Sequence, residues 1–354
     1  MQKVELVLGL LSCIILVMSL IPLIRNDYWT FRVFEYPRFQ KFVLSILILA
    51  VYAFVLSADS EMISFVISGL LLLNVFYLAY QIFPYTKAAS KQVLRAERKE
   101  DEQSIRLLTA NVYQYNRRAA EYLKNISAAN PDVILLLETD KWWLERSESL
   151  EKDYPYSVKV PLENTYGMLL YSKYTLKEWS VEYLVEQDIP SIHAKAELPS
   201  GKLIQLFCVH PTPPVPNENP RSTERDKELL IVAKLAKASK LPVIVLGDLN
   251  DVAWSYTTDL FCKISGLLDP RKGRGFFNTF HARYPFLRFP LDHIFCSVDF
   301  KLLHLSRLPA AGSDHFPMFA ELQYERVASL QQEEPVADAE EKETADEKIA
   351  KNTA

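Results

Sequence analysis

The first 85 or so residues are almost continuously apolar, and this restricts the fold more than any other feature. Three runs stand out: Val4 to Ile24, Phe42 to Ser57 and Met62 to Phe83. Each is near the ~20 residues that a helix needs to cross ~30 Å of hydrocarbon. In lipid, a lone apolar segment can satisfy its own backbone hydrogen bonds only as a helix. A cleaved signal peptide is the rival for the first run, but no small-x-small site follows it and two further runs do. Tyr28, Trp29, Phe31 and Tyr36 after the first run, and Tyr77, Tyr80 and Tyr85 near the end of the third, fit interfacial aromatic belts. The expectation is a three-span anchor over residues 1–86.

Charge around the runs speaks to orientation. The first connection carries Arg25, Arg32, Arg38 and Lys41, whereas the second, Ala58 to Glu61, carries no basic residue. Lys87, Lys91, Arg95, Arg98 and Lys99 follow the third run. The positive-inside bias then places the carboxyl-terminal part in the cytoplasm, although basic residues beside a span also bind lipid headgroups. Residues 87–103 read as a basic juxtamembrane linker, either a short interfacial helix or a solvated segment. The net charge of -4 leaves no footprint for nucleic acid. Four scattered cysteines form no CxxC or Cys/His cluster, which argues for buried thiols rather than a disulfide framework or zinc.

From Ser104 the pattern alternates between strands and helices. Strands are expected at Ile105 to Val112, Val133 to Leu137, Tyr156 to Val160, Gly167 to Ser172, Glu178 to Leu184, Ser191 to Leu198 and Leu203 to Val209. Further strands follow at Val243 to Leu246, Leu291 to Cys296, Phe300 to Leu305 and Phe316 to Leu322. Asn116 is a candidate N-cap for a helix carrying Ala119, Leu123 and Ile126, and a second helix spans Thr223 to Ser239. Many short strands in mixed order fit two packed sheets with helices outside them. Residues 325–354 are acidic and nearly devoid of large apolar side chains. They read as a disordered tail, with a short solvated helix as the alternative.

The chemistry gathers at strand ends. In Leu241 to Asp251, an apolar strand meets Gly247, expected to turn the backbone, and then Asp248, Asn250 and Asp251. Oxygen-bearing side chains there suit Mg²⁺, while an ordinary turn also favours Gly, Asp and Asn. Four more strand ends are polar: Thr109-Ala-Asn111, Leu136-Leu-Glu138, Val209-His210-Pro-Thr and Leu291-Asp-His293. Gly312-Ser-Asp-His315-Phe-Pro closes the set. In this order and spacing they resemble the endonuclease/exonuclease/phosphatase superfamily across about residues 104–324. Ala253-Trp-Ser255 and Ser265 to Pro270 are similar to its bacterial membrane-anchored branch, which includes proteins like the teicoplanin-resistance membrane proteins.

The resemblance implies an α/β fold, a four-layer α/β sandwich of the DNase I-like kind behind the three spans, and Mg²⁺-dependent hydrolysis, with Mn²⁺ as a substitute. Phosphoester hydrolysis brings an anion, a water and a developing alkoxide together, so it needs fixed positive charge and oriented acceptors. Glu138 is the first choice as metal ligand, with Asn111 beside it as ligand or phosphate donor. The resemblance gives Asp248 and Asn250 the attacking water and phosphoryl oxygens, His315 the scissile phosphate, and Asp292 the other ring proton of His315. It places Asp314 near the metal and makes His210 a donor to a phosphoryl oxygen. For both histidines the alternative is a capped or core residue. His293 should face the opposite side of its strand. Where many members of the superfamily have Gln before the metal-binding Glu, this chain has Leu137.

Arg221 and Arg225 are candidates for a substrate-phosphate fork or for an ordinary solvated helix face. Arg271, Lys272, Arg274, Arg283 and Arg288 form a basic region for a polyanionic substrate or headgroups. The expected activity is hydrolysis of a phosphoester or pyrophosphate, soluble or lipid-linked, in contact with membrane lipids. A nuclease is the alternative, disfavoured because no aromatic-interleaved basic surface is evident. A non-catalytic scaffold is disfavoured because all the acidic and imidazole positions are present. The charge bias puts the domain in the cytoplasm, whereas the glycopeptide-resistance likeness implies the outer face of a bacterial cell membrane.

Overall fold

The computed structural model describes residues 2–58 and 60–353. Its amino-terminal part forms α1 (Gln2–Leu20), the one-turn α2 (Trp29–Arg32), α3 (Arg38–Val55) and α4 (Met62–Ile82). Three segments, Lys3–Ile24, Arg38–Val55 and Met62–Tyr85, are long and apolar enough to cross a membrane. Leu8, Ile15, Ile48, Tyr52 and Leu71 close the core between these helices. The second span starts at Arg38, earlier than expected from sequence, because its basic residues are satisfied internally. Arg38 donates to the Trp254 carbonyl, and Lys41 Nζ donates to the carbonyls of Met18 and Phe34, each at 2.9 Å. Asp59, part of the second connection, lies outside the described residues.

The rest of the chain runs through β1 (Ser104–Asn111), α5 (Ala119–Ala129), β2 (Val133–Leu137), α6 (Lys141–Ser147), β3 (Tyr156–Val160), β4 (Met168–Ser172) and β5 (Leu176–Glu182). It continues with β6 (Ser191–Glu197), β7 (Leu203–Val209), α7 (Thr223–Ala238), β8 (Val243–Asp248) and α8 (Tyr256–Ser265). The last elements are β9 (Asp292–Cys296), β10 (Phe300–Arg307), β11 (Met318–Tyr324) and α9 (Ala339–Ala350). One sheet has the order β10-β11-β1-β2-β4-β3 and the other β5-β6-β7-β8-β9. Their facing sides share one core, with Leu107, Leu135 and Leu170 from the first sheet against Leu206, Ile244 and Ile294 from the second. Tyr122, Ile126 and Trp143 of α5 and α6 cover the outside of the first sheet. Leu229, Val232 and Phe261 of α7 and α8 cover the second. The architecture is the four-layer α/β sandwich.

Each sheet has a central parallel pair, β1 with β2 and β7 with β8. Parallel pairs leave their loops together at the carboxyl ends, where ligands of such sheets bind. Gly247 does not turn the backbone. It lies inside β8, paired with Val209 and His293. At φ +149°, a Cβ there would sit 1.9 Å from the Val209 carbonyl oxygen, so the missing side chain lets β7 and β8 close up beside each other.

Several local expectations give way to tertiary contacts. Asn116 does not cap α5, which starts at Ala119; its amide instead donates to the Val112 and Ala311 carbonyls. Two helices that were not expected from the sequence carry side-chain caps. Asp140 accepts from Trp143 N ahead of α6, and Ser255 accepts from Thr258 N ahead of α8. Residues 87–103 form no α-helix, and although largely exposed they are tied to the domain. Val93 enters the central core, and Leu94 and Ala96 exchange backbone hydrogen bonds with Leu302 of β10.

The tail is ordered as well. Asp338 and Glu341 form a capping box at the start of α9, and Ala345 is buried against Leu230 and Leu260. Lys348 Nζ reaches Asp226 at 2.7 Å and Glu341 accepts from Lys263 Nζ at 2.6 Å. Composition concealed this because the helix docks through ion pairs and small residues, with little apolar bulk.

Candidate active site

The carboxyl ends of β1, β2 and β8 meet at Asn111. Its carbonyl accepts from Ser313 Oγ at 2.8 Å and from the Tyr122 hydroxyl at 3.2 Å, which fixes the end of β1. Its Nδ2 donates to Glu138 Oε1 at 2.7 Å and to Asp248 Oδ2 at 3.1 Å. The amide therefore bridges two carboxylates that would otherwise repel each other. Glu138 holds a left-handed backbone conformation, φ 58°, that non-glycine residues rarely take. Such strain concentrates at functional sites. Its other oxygen, Oε2, accepts from Gln114 N at 3.3 Å.

Across the same cleft, His315 Nδ1 lies 2.7 Å from Asp292 Oδ2, and its Nε2 lies 3.5 Å from Asp248 Oδ2. The Ser313 hydroxyl accepts from His315 N at 2.9 Å, and Thr279 Oγ1 accepts from Asp292 N at 3.1 Å. Burial alone would lower the affinity of the imidazole for its proton. The Asp292 and Asp248 carboxylates outweigh it and push the pKa of His315 up to about 10, so the ring is an imidazolium at neutral pH. Asp248 is buried, yet the charge of His315 holds its carboxyl below the usual range.

His210 enters from the end of β7. Its ring lies against Tyr166, with centroids 5.2 Å apart, and its buried Nδ1 has no partner among the described residues. Burial pushes its pKa down to about 4, so it is neutral where His315 is charged. Asn250 closes the cleft, its Nδ2 donating to the Pro211 carbonyl and its N to Asp248 Oδ1, both at 2.9 Å. Asp314 is half-buried beside this group. Its charge acts on both Glu138 and His315.

The structure thus brings Asn111, Glu138, His210, Asp248, Asn250, Asp292, Asp314 and His315 to one cleft. It does not bring Asp251 or the two arginines there. Asp251 is buried on the far side, accepting from Ser255 Oγ at 2.6 Å. Arg225 is fully buried between Asp226 at 2.9 Å and Asp251 at 3.3 Å. It faces neither solvent nor substrate, and its Nη1 donates to the Asn250 carbonyl at 2.8 Å. Arg221 pairs with Asp27 at 2.6 Å. Within the expected basic region, Arg271 is spent on Asp269 at 2.8 Å and touches His293 Nδ1 at 2.5 Å, which puts His293 on the opposite face of β9.

A group that sequence reasoning missed is the first connection. Tyr36 donates its hydroxyl to the Asn250 carbonyl at 2.8 Å, and Arg32 donates to Thr257 Oγ1 at 2.8 Å. Trp254 Nε1 donates to the Glu35 carbonyl at 2.9 Å. The only signal in the sequence was an unusual mixture of charge and aromatic residues between two spans.

The cleft fits a hard divalent cation. Burial, opposed by the Asn111 hydrogen bond and the charge of His315 and reinforced by Asp314 and Asp248, pushes the Glu138 carboxyl up to about 7. A cation would relieve that penalty. Asp292 Oδ1 is also buried without a partner among the described residues. Asp248, Asp292 and His315 place one ligand atom each within 4.8 Å of one another, a second arrangement with metal-ligand spacing.

A model of the endonuclease/exonuclease/phosphatase family matches residues 108–315. No curated protein matches the sequence. Among solved structures the chain is similar to D. rerio TDP2 complexed with single strand DNA product, at 17% identity, covering 62% of this chain and 99% of that one with a TM-score of 0.53. It is similar to the human Nocturnin catalytic domain with bound sulfate anion, at 19% identity, 67% and 97% coverage and a TM-score of 0.51. It is also similar to an endonuclease/exonuclease/phosphatase from Bacteroides vulgatus, at 19% identity, 63% and 99% coverage and a TM-score of 0.51. These likenesses concern the fold. With the family's span covering more than half of the sequence, the chain belongs to the endonuclease/exonuclease/phosphatase family, whose members are metal-dependent phosphoester hydrolases or nucleases.

Proposed function

We propose that this chain is a membrane-anchored hydrolase of a phosphoester or pyrophosphate carried on a lipid. The observation behind this reading is an imidazolium held between two carboxylates beside the Glu138–Asn111 pair, in a chain with three candidate spans. Glu138, with Asn111 and Asp314, would hold Mg²⁺, for which Mn²⁺ would substitute. The Asp248–Asp292–His315 group is a poorer choice, because its ring already binds a proton between the two carboxylates. When bound, the cation supplies positive charge to phosphoryl oxygens during in-line displacement.

The chain's own residues do the rest. Ionised Asp248, oriented by Asn250 N, accepts a hydrogen bond from the attacking water and then its proton. The water oxygen bonds to phosphorus as the bond from phosphorus to the leaving oxygen breaks. At 3.5 Å, the Nε2–H of His315 is too far from Asp248 for a strong hydrogen bond, which leaves it free for a phosphoryl oxygen. Neutral His210 donates its one N–H to another. Asp292 holds His315 charged and oriented.

The domain and the first connection dock on each other, so they share one side of the membrane if the spans cross it. The basic residues there favour the cytoplasmic face. Protease added to intact cells should then leave the domain uncut, whereas cleavage would place it outside. The test of activity is phosphate release by the full chain in phosphatidylcholine nanodiscs with Mg²⁺, offered lipid phosphates, nucleotides and DNA. Release from lipid phosphates that is lost in Asp248→Asn and His315→Ala supports the proposal. Cleavage of DNA alone would make the chain a nuclease, and no turnover of any substrate by a folded, Mg²⁺-binding protein would make it a scaffold.

A further inference from the structure

Between α3 and the segment before β9 lies an apolar groove of about 910 Å³, within the roughly 300–1,000 Å³ typical of ligand sites. One wall is the first three turns of α3, with Phe39, Val43, Leu44 and Leu47 facing the groove. These residues belong to a candidate membrane span, so the groove opens at the level where that helix enters lipid. The other wall carries Phe276, Phe277 and Phe286. Gln40 Nε2 ties the walls together by donating to the Phe286 carbonyl at 3.0 Å. The Phe286 side chain itself is 87% exposed, beside the exposed Tyr284 and Leu287, an apolar tip that water disfavours and a membrane surface would cover.

The groove also has a cationic end. Arg288 and Arg307 line it, and neither forms an ion pair with a carboxylate among the described residues. Their guanidinium carbons lie 5.0 and 3.9 Å from the centre of the Phe316 ring. Arg288 Nε is buried without a partner among the described residues, as is Asn278 Oδ1. Burial, and after it the charge of Arg288, make the charged form of Arg307 less favourable, a penalty that an anion at this end would relieve. Phe316 follows His315 in the chain, and the Phe280 ring lies 5.0 Å from the His315 ring. Phe316, which both guanidiniums cover, therefore separates the cationic end of the groove from His315 by a single residue.

We infer that this groove is the binding site for the hydrocarbon chain of a phospholipid-like substrate, whose anionic phosphate passes Arg288 and Arg307 to reach His315. The assignment rests on the lipid-phosphate reading of the cleft and adds where the chain lies and which residues select it. A water-soluble phosphoester would use the cleft without the groove.

Two measurements test it, both on the full chain in phosphatidylcholine nanodiscs. In the first, phosphatidic acid with a diazirine at the end of its acyl chain is photolysed and the adducts are mapped. Labelling concentrated at residues 39–47 and 276–288, and competed by unlabelled phosphatidic acid but not by extra phosphatidylcholine, is expected. Labelling spread evenly over the outer faces of the three spans would overturn the assignment. In the second, Leu44→Trp fills the groove, and kcat/KM is compared for a long-chain lipid phosphate and a short water-soluble phosphoester. At least a tenfold loss on the lipid with no change on the soluble compound is expected. Equal rates on both compounds in variant and unmodified protein would refute the groove while leaving a lipid phosphatase intact. Failure of the unmodified protein to turn over any lipid phosphate would instead remove the reading on which the groove rests.

Discussion

Replacing Arg225 with methionine isolates the buried charge network beneath the cleft. Methionine keeps most of the length of the side chain and removes its charge and all its donors. Arg225 Nη2 contacts Asp226 at 2.9 Å and Asp251 at 3.3 Å, and Nη1 donates to the Asn250 carbonyl at 2.8 Å. Asp226 would still have Lys348 at 2.7 Å and Arg32 at 3.9 Å. Among the described residues Asp251 would keep hydrogen bonds only from the Ser255 hydroxyl and Val252 N, with Arg32 as the remaining favourable charge, so it becomes the less compensated buried charge. Removing one partner of a buried pair costs about 3–5 kcal/mol. At about 2–4 °C per kcal/mol for a domain of this size, the melting temperature in detergent should fall by roughly 6–20 °C.

Two further results are required by the same reasoning. Burial already raises the affinity of Asp251 for a proton, and Arg225 is the main group opposing it. A carboxyl with a raised native pKa binds more protons folded than unfolded, so its contribution to stability falls as pH rises through that pKa and recovers as pH falls. The deficit of Arg225→Met should therefore be smaller at pH 5 than at pH 8. Adding Asp251→Asn should recover part of the loss, because the unpaired charge is then gone. A fall under about 1 kcal/mol would refute the argument, and so would a double variant less stable than the single one.

Tyr36→Phe removes only the hydroxyl that the segment between α1 and α3 donates to the Asn250 carbonyl. If that bond, worth about 1 kcal/mol, holds Asn250 in its working position, kcat/KM should fall about fivefold with a fall of only about 2–4 °C in melting temperature, and unchanged kinetics would show that the connection is only a mooring. Calorimetric Mg²⁺ titration should show affinity falling about tenfold per pH unit below pH 7, since the cation competes with the proton on Glu138; a flat profile from pH 6 to 8 would remove Glu138 as ligand. Gly247→Ala should abolish the folded domain, because its Cβ would meet the Val209 carbonyl at 1.9 Å, and a folded, active alanine variant would mean that β7 and β8 can part without harm.

Much of this molecule could be read from local pattern. Apolar runs of span length reappear as α1, α3 and α4, and strands such as Val133–Leu137 and Leu203–Val209 lie where apolar residues run between turn signals. The polar residues at the ends of β1, β2, β7 and β8 were visible because a parallel pair must end where its loops leave. These signals depend on residues within one turn or one strand of each other, so the sequence alone contains them.

What needed the tertiary structure was the choice of partner for each charge. Arg32 and Arg38 look from sequence like a charged membrane rim, and Arg225 looks like a helix face. All three are buried because distant partners arrive from other parts of the fold: Thr257 and Asp226 for Arg32, the Trp254 carbonyl for Arg38 and Asp251 for Arg225. The tail helix is ordered for the same reason, through Lys263 and Asp226. The sequence by itself determined the long apolar helices, the strands and the polar strand ends, since periodicity and strand termination are local. Tertiary structure alone decided that the segment between α1 and α3 would grip the loop of Asn250 and that α3 would wall a groove against Phe276, Phe277 and Phe286. A buried charge or an open groove exists only once residues hundreds of positions apart have met.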